Sequence, residues 1–331
     1  MDLKHLEGMD RAMDKNRGDQ ARLGIGLLFI LSVMLYAASQ SVGEVSIMLV
    51  MAAMVGGYMA MNIGANDVAN NVGPAVGARA LTLGSALVIA ATFEVAGAII
   101  AGGEVVGTIR NGIIDPNLIP DTDTFVWIMM SALIAGALWL NIATAVGAPV
   151  STTHSIVGAV LGGGIAASGF DIVNWRTMGG IAASWVVSPV LGGIVAAAFL
   201  YLIKRSITYK ADMMGAARQV VPWLVAAMAM VFSVYLSQKG LNQIVKVSLL
   251  QAAMIGAIVA VGVFALVRWQ VKQPKNLLLE GKQGVNSLFT VPLIFAAALL
   301  SFAHGSNDVA NAIGPLAAIV DVYTAHPGQF G

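Results

Sequence analysis

Gly64-Ala65-Asn66-Asp67-Val68-Ala69-Asn70-Asn71-Val72-Gly73-Pro74 returns 241 residues later as Gly305-Ser306-Asn307-Asp308-Val309-Ala310-Asn311-Ala312-Ile313-Gly314-Pro315, identical at eight of eleven positions. Each copy follows an apolar run of membrane length. Each places an acid, at least two carboxamides, two glycines and a proline where a continuous lipid-facing helix would want none of them. This duplication predicts an all-α polytopic membrane protein, an inverted-repeat secondary transporter with broken helices and a site between its repeats.

Composition agrees. The chain is 58% hydrophobic and only 11% charged, against roughly 25% charged in a soluble domain, so it belongs in a bilayer. A net charge of +1 gives no reason to invoke nucleic acid, and the absence of cysteine removes disulfides, thiolate metal sites and cysteine nucleophiles together. The 37 glycines suit helices that approach closely in lipid. Residues 1–22 carry five basic and five acidic side chains and no small-residue cleavage site after a short apolar core, so they read as a cytoplasmic leader.

Apolar stretches able to span, at about 20 residues each, fall at 24–41, 45–63, 80–102, 124–146, 179–203, 221–237, 247–268 and 288–304. The Gly/Ser/Thr-rich stretch 151–170 could cross or enter as a hairpin and turn back. Lys204, Arg205, Lys210 and Arg218 share one short loop, and Arg268, Lys272, Lys275 and Lys282 another. Both are expected on the cytoplasmic side. The acid-rich segment 103–123 then lies outside, provided that 151–170 makes a net crossing, and the two motif copies acquire inverted topology. The expected organisation is a leader at 1–22, an extra span at 23–44, a first repeat at 45–203, a basic loop at 204–220, connecting spans at 221–268, a second basic loop at 269–287, and the opening of a second repeat at 288–331. The expected location is the inner or plasma membrane, with the N-terminus cytoplasmic.

Asp67 and Asp308 are costly at membrane depth unless paired, protonated or bound to a cation. Asn66, Asn70, Asn307 and Asn311 can supply carbonyl oxygens around them, and Gly64, Gly73, Gly305 and Gly314 are expected to let the backbone unwind and expose its own carbonyls. Oxygen ligation suits a hard cation or a proton carrier. The same residue types also cap helix ends, but a pair with one spacing favours the cation reading. A second group, Gly147-Ala148-Pro149-Val150-Ser151-Thr152-Thr153-His154, stops one helix at Pro149 and can begin another. Its hydroxyls and helix-start N–H groups make an anion seat, or a simple capping turn. Glu94, in the middle of 80–102, marks a pathway or a cation site. His154 and His304 adjoin the two groups; either could relay protons, although a ring fixed by backbone hydrogen bonds is the expectation for both. Arg79 and Arg110 are expected at the interfaces.

The paired Asn-Asp motif, His304 ahead of its second copy, Pro149-Val150-Ser151-Thr152-Thr153-His154 and Gly107-Thr108-Ile109-Arg110-Asn111-Gly112-Ile113-Ile114-Asp115 resemble the PiT family of inorganic phosphate transporters, from about Val45 onward. The resemblance implies phosphate uptake driven by sodium or protons, with no further cofactor and no enzymatic activity. It implies Asp67, Asn70, Asp308 and Asn311 as cation and substrate-site residues, with sodium held there in some members. Ser151, Thr152 and Thr153 become phosphate-contacting donors, and Glu94 a residue needed for transport. Members that prefer sulfate share much of the pattern, and the acids could instead line a cation-selective channel. The 241-residue offset puts the partners of Glu94 and Ser151 near 335 and 392, so the second repeat is expected to be incomplete here, or to be completed by a longer chain or a homo-oligomer.

Overall fold

The computed structural model describes residues 3–40, 47–243, 245–273 and 281–325. Among them are ten α-helices: α1 (Leu3–Gln40), α2 (Ile47–Gly77), α3 (Leu83–Ala101), α4 (Gly103–Asn111), α5 (Thr122–Ala145), α6 (Thr152–Ser168), α7 (Trp175–Ile203), α8 (Met213–Lys239), α9 (Leu249–Val271) and α10 (Gly281–Ala325). Among the described residues eight segments are long and apolar enough to cross a membrane; each overlaps one of the eight stretches expected, and those at 47–77 and 281–323 run well beyond the expected 45–63 and 288–304. Residues 41–46, 274–280 and 326–331 and the side chain of Arg110 lie outside the description; they carry parts of the extra span, the second basic loop and the second repeat.

Polar N-caps start the helices. Thr82 receives the Ser85 N–H, Asp121 that of Thr124 at 2.7 Å, Asn174 that of Thr177 and Asp212 that of Gly215. The first-turn N–H groups of a helix have no partner within the helix, and such side chains supply one. The backbone N–H and the hydroxyl of Thr124 hold the Asp121 carboxyl below its ordinary value. Ser248 and Gln251 complete a reciprocal box at the start of α9.

Two compact units divide the chain. One takes Met1–Asn66, Thr108–Val173 and Asn311–Gly331, the other Asp67–Gly107 and Asn174–Ala310. In the first, α5 and α6 form an antiparallel hairpin. Gly136 faces Met59 and Ile156, while Gly163 faces Ile128 and Ser131. Ile114 and Val173 pair as a β-bridge, and the Asp115 N–H donates to the Ile172 carbonyl at 2.8 Å. The chain therefore leaves for α5 and returns from α6 at one level. Residues 151–170 hold a single helix rather than an internal hairpin, which is what a net crossing requires.

In the second unit, α8 and α9 pack antiparallel. Gly256 lies on the Met230 carbonyl and Val234, and Trp223 meets Phe264 with ring centroids 4.4 Å apart. The segment Lys204–Thr208 continues α7 as a π-helical turn, and its buried Ile207 joins Met214, Ala217, Val221, Val267 and Leu288. The end of α2 meets α3 and α10 through Val72, Ala75, Ala86, Ala90 and Ala297.

One expectation is corrected. Both motif copies lie inside unbroken helices of 31 and 45 residues; the breaks fall at Gly102 and at 146–151. Without water, an opened backbone group costs several kcal/mol, so the helical bonds are kept. The glycines of the second copy serve close packing instead. A Cβ on Gly305 would strike the Glu94 carbonyl, and one on Gly97 the Phe302 carbonyl, so α3 and α10 touch backbone to backbone.

Adding a methyl group at Gly97 therefore forces a helix aside. Overpacking of this kind costs about 1–3 kcal/mol, so Gly97→Ala lowers the melting temperature of the detergent-purified protein. Gly179→Ala, where a Cβ would meet open space, leaves it unchanged or raises it. Equal melting curves would show that the contact is slack.

Candidate functional site

The close approach of α3 and α10 brings three acids to one imidazole. His304 Nε2 lies 2.9 Å from Asp308 and 3.6 Å from Asp67, and Nδ1 lies 3.2 Å from Glu94. The side chains of His304 and Asp67 are each 9% exposed. Asn71 Nδ2 donates to Glu94 Oε1 at 2.8 Å, so Glu94 is held from the α2 side as well. A protonated ring offsets at most one of three negative charges. In a membrane the remainder calls for a cation or a further proton.

The second motif copy is anchored from behind. Ser306 Oγ stands 2.8 Å from the Tyr235 hydroxyl and donates to the Ala303 carbonyl, while Phe302 packs edge-on against the Phe232 and Tyr235 rings. This fixes the turn of α10 that presents His304.

In the other unit, Asn66 grips the turn between α5 and α6, and Asn311 the first turn of α6. Asn66 Nδ2 donates to Thr144 Oγ1 at 3.0 Å and to the Ala148 carbonyl at 3.3 Å, and its Oδ1 accepts the Val150 N–H at 3.3 Å. Fully buried Asn311 donates to Thr153 Oγ1 at 3.1 Å. Gly147, at φ +70°, takes the left-handed conformation that a side chain resists. Behind Pro149, Ser151 caps α6, its Oγ accepting the His154 N–H at 3.3 Å. That hydroxyl keeps its own proton to donate. Ser151 is exposed, Thr153 partly buried and Thr152 buried, and the α6 helix start adds partial positive charge beside them.

The residues expected at the site thus separate. Asp67, Glu94 and Asp308 converge, and Ser151, Thr152 and Thr153 share one helix start with Asn66 and Asn311. Asn70 and Asn307 are exposed. Asn66 spends its carboxamide on the turn. Asn71 was not among the expected residues, although it stands one helical turn after Asp67 on the same face. Nor were buried Asn62 and exposed Asn141, whose carboxamides pair at 3.0 Å. His304, expected to be fixed by backbone, is instead surrounded by carboxylates; His154 is exposed.

Residues 63–330 match the phosphate transporter family. The chain belongs to it. The resemblance drawn from the paired motif is borne out, and the family is one of transporters, not of enzymes. A Helicobacter pylori (strain J99 / ATCC 700824) protein carrying the name phosphate permease is 49% identical over 320 residues, covering 96% of this chain and 60% of that protein. A Chlamydia trachomatis serovar D protein of the same name is 39% identical over 295 residues, covering 82% and 69%. A solved structure described as "The sodium-dependent phosphate transporter" superimposes with a TM-score of 0.78 at 35% identity, covering 86% of this chain and 71% of that one. The chain spans about three fifths of the length of the Helicobacter relatives. With its eight candidate spans, this family member is a multi-pass membrane protein.

If Asn66 clamps the turn, Asn66→Ala releases three hydrogen bonds at once, each worth about 0.5–1.5 kcal/mol. Hydrogen–deuterium exchange of residues 146–153 then speeds up by an order of magnitude or more, while exchange in α8 and α9 stays as it was. Unchanged protection at 146–153 would show that Pro149 and the Ser151 cap hold the turn without Asn66.

Proposed function

We propose that the protein carries inorganic phosphate across its membrane, coupled to inward movement of sodium or protons. One observation carries this reading: the paired motif builds two polar groups of opposite character. Asp67, Asp308 and His304 with Glu94 form a group rich in carboxylates, suited to a cation. Asn66 and Asn311 hold a helix start lined by Ser151, Thr152 and Thr153, suited to an oxyanion. Hydroxyl and backbone donors bind phosphate without a fixed charge, so the ion can leave as readily as it enters. The names of the relatives and the sodium dependence stated for the solved structure support the same reading. A channel needs no such oxyanion seat.

In this reading Asp67 and Asp308 carry the coupling cation, and the net charge they provide matters more than their packing. Asp67→Asn and Asp308→Asn, reconstituted into vesicles, abolish gradient-driven uptake of radiolabelled phosphate while the protein still inserts and runs monodisperse. Imposing sodium and pH gradients separately identifies the coupling ion. Normal uptake by both variants would overturn the assignment.

Ser151→Ala and Thr152→Ala each remove a donor to a charged group, worth about 1.5–3 kcal/mol. The phosphate KM therefore rises roughly tenfold or more, with maximal rate and expression less affected, and sulfate as competitor reports the selectivity of the seat. An unchanged KM in both variants would reduce the segment to a capping turn.

A further inference from the structure

Oxygen ligands alone would suit sodium, yet the carboxylate group contains a nitrogen. Three donor atoms, His304 Nε2 and one carboxylate oxygen each from Asp67 and Asp308, lie within 4.8 Å of one another. The two Nε2 distances, 2.9 and 3.6 Å, bracket the separation between ligands of a tetrahedral ion. Donors at about 2.0–2.2 Å from such an ion stand roughly 3.3–3.6 Å apart. The ring is nine-tenths buried, and neither of its nitrogens makes an aligned hydrogen bond. Ionised carboxylates only accept, so acceptor groups converge on Nε2 from two helices.

The other side of the ring is arranged to match. Glu94 stands 3.2 Å from Nδ1, where it can accept the Nδ1 proton when Nε2 gives up its own to a cation, and Asn71 in turn holds Glu94. Histidine ligands of metals characteristically present their second nitrogen to a carboxylate in this way, which orients the ring and raises its basicity. The carboxylates alone serve a hard cation, and an imidazole added to them extends the group to divalent ions of intermediate softness.

We propose that His304 Nε2, Asp67 and Asp308 form a binding site for a divalent transition-metal-type cation, represented by zinc, oriented by Glu94 and Asn71. Zinc held there occupies the carboxylates that the coupling cation needs and so blocks uptake. Only that second effect rests on the transport reading; the binding site does not.

Zinc binding to the untagged, metal-stripped protein in detergent, measured by equilibrium dialysis and elemental analysis, tests this directly. One tightly held zinc per chain is expected. His304→Gln weakens its binding by more than tenfold, and Glu94→Gln by about 10–100-fold through loss of ring orientation. His154→Gln, on an exposed ring, does not change it. Cobalt provides a readout that needs no variant: the wild type develops the visible bands of a four-coordinate site, and zinc abolishes them. No retained zinc and no cobalt bands in the wild type, or equal zinc affinity in a folded His304→Gln protein, would overturn the site. Zinc that binds at His304 without slowing uptake would remove the competition alone, and zinc binding in a protein that takes up no phosphate would remove the transport reading alone.

Discussion

The backbone contact between α3 and α10 is the constraint on which the acidic group depends. Gly97 lies on the Phe302 carbonyl and Gly305 on the Glu94 carbonyl, a reciprocal pair in which each helix lends the other a position without a side chain. Any larger residue at either position would move Glu94 away from His304. Helices in lipid gain little from burying apolar surface against one another, so intimate van der Waals contact through small residues carries much of their association. Here the same contact also sets the distances within a cluster of charges.

Carboxamides perform the corresponding task around the α5–α6 turn. Asn66 satisfies a hydroxyl, a carbonyl and an N–H at once, which a carboxylate could not do because it has no N–H to give. The break at 146–151 leaves backbone groups that need partners; Asn66 on α2 serves the Ala148 carbonyl and the Val150 N–H, while Asn311 on α10 holds the Thr153 hydroxyl at the start of α6. Each motif copy thus contributes an acid to one group and an asparagine to the other. The acids and the asparagines belong to different compact units, which divide between Asn66 and Asp67 in the first copy and between Ala310 and Asn311 in the second.

Much of this was legible in the chain. Hydrophobic length alone located the eight spans, and the repeated Asn-Asp motif pointed to the family, because both signals are local or periodic. What was missed depends on tertiary contact. Gly305 reads as a helix breaker in isolation and becomes a contact surface only when Glu94 is opposite it. Asn71 has no counterpart in the second copy, where Ala312 stands; its signal is the four-residue spacing from Asp67, which puts both on one helix face. His304 reads as a backbone-fixed ring because nothing near it in sequence except Asp308 shows that acids 210 and 237 residues away share its surroundings. Asn70 and Asn307 fit the motif equally well as text, and their exposure follows only from the direction in which the helices face.

Helix α2 carries its polar residues in two stripes. Asn62 and Asn66 face Asn141 and the α5–α6 turn, and Asp67 and Asn71 face His304 and Glu94. Adjacent residues of an α-helix stand about 100° apart around the axis, so the stripes occupy separate sides of the rod. A screw displacement by a single residue would put Asp67 in the place of Asn66 and Val68 in that of Asp67, or, in the other sense, Ala65 in the place of Asn66, and either way the α5–α6 turn would lose the N–H donors of Asn66. The helix is therefore locked against rotation about its own axis, and its register acts as a key with two differently cut edges.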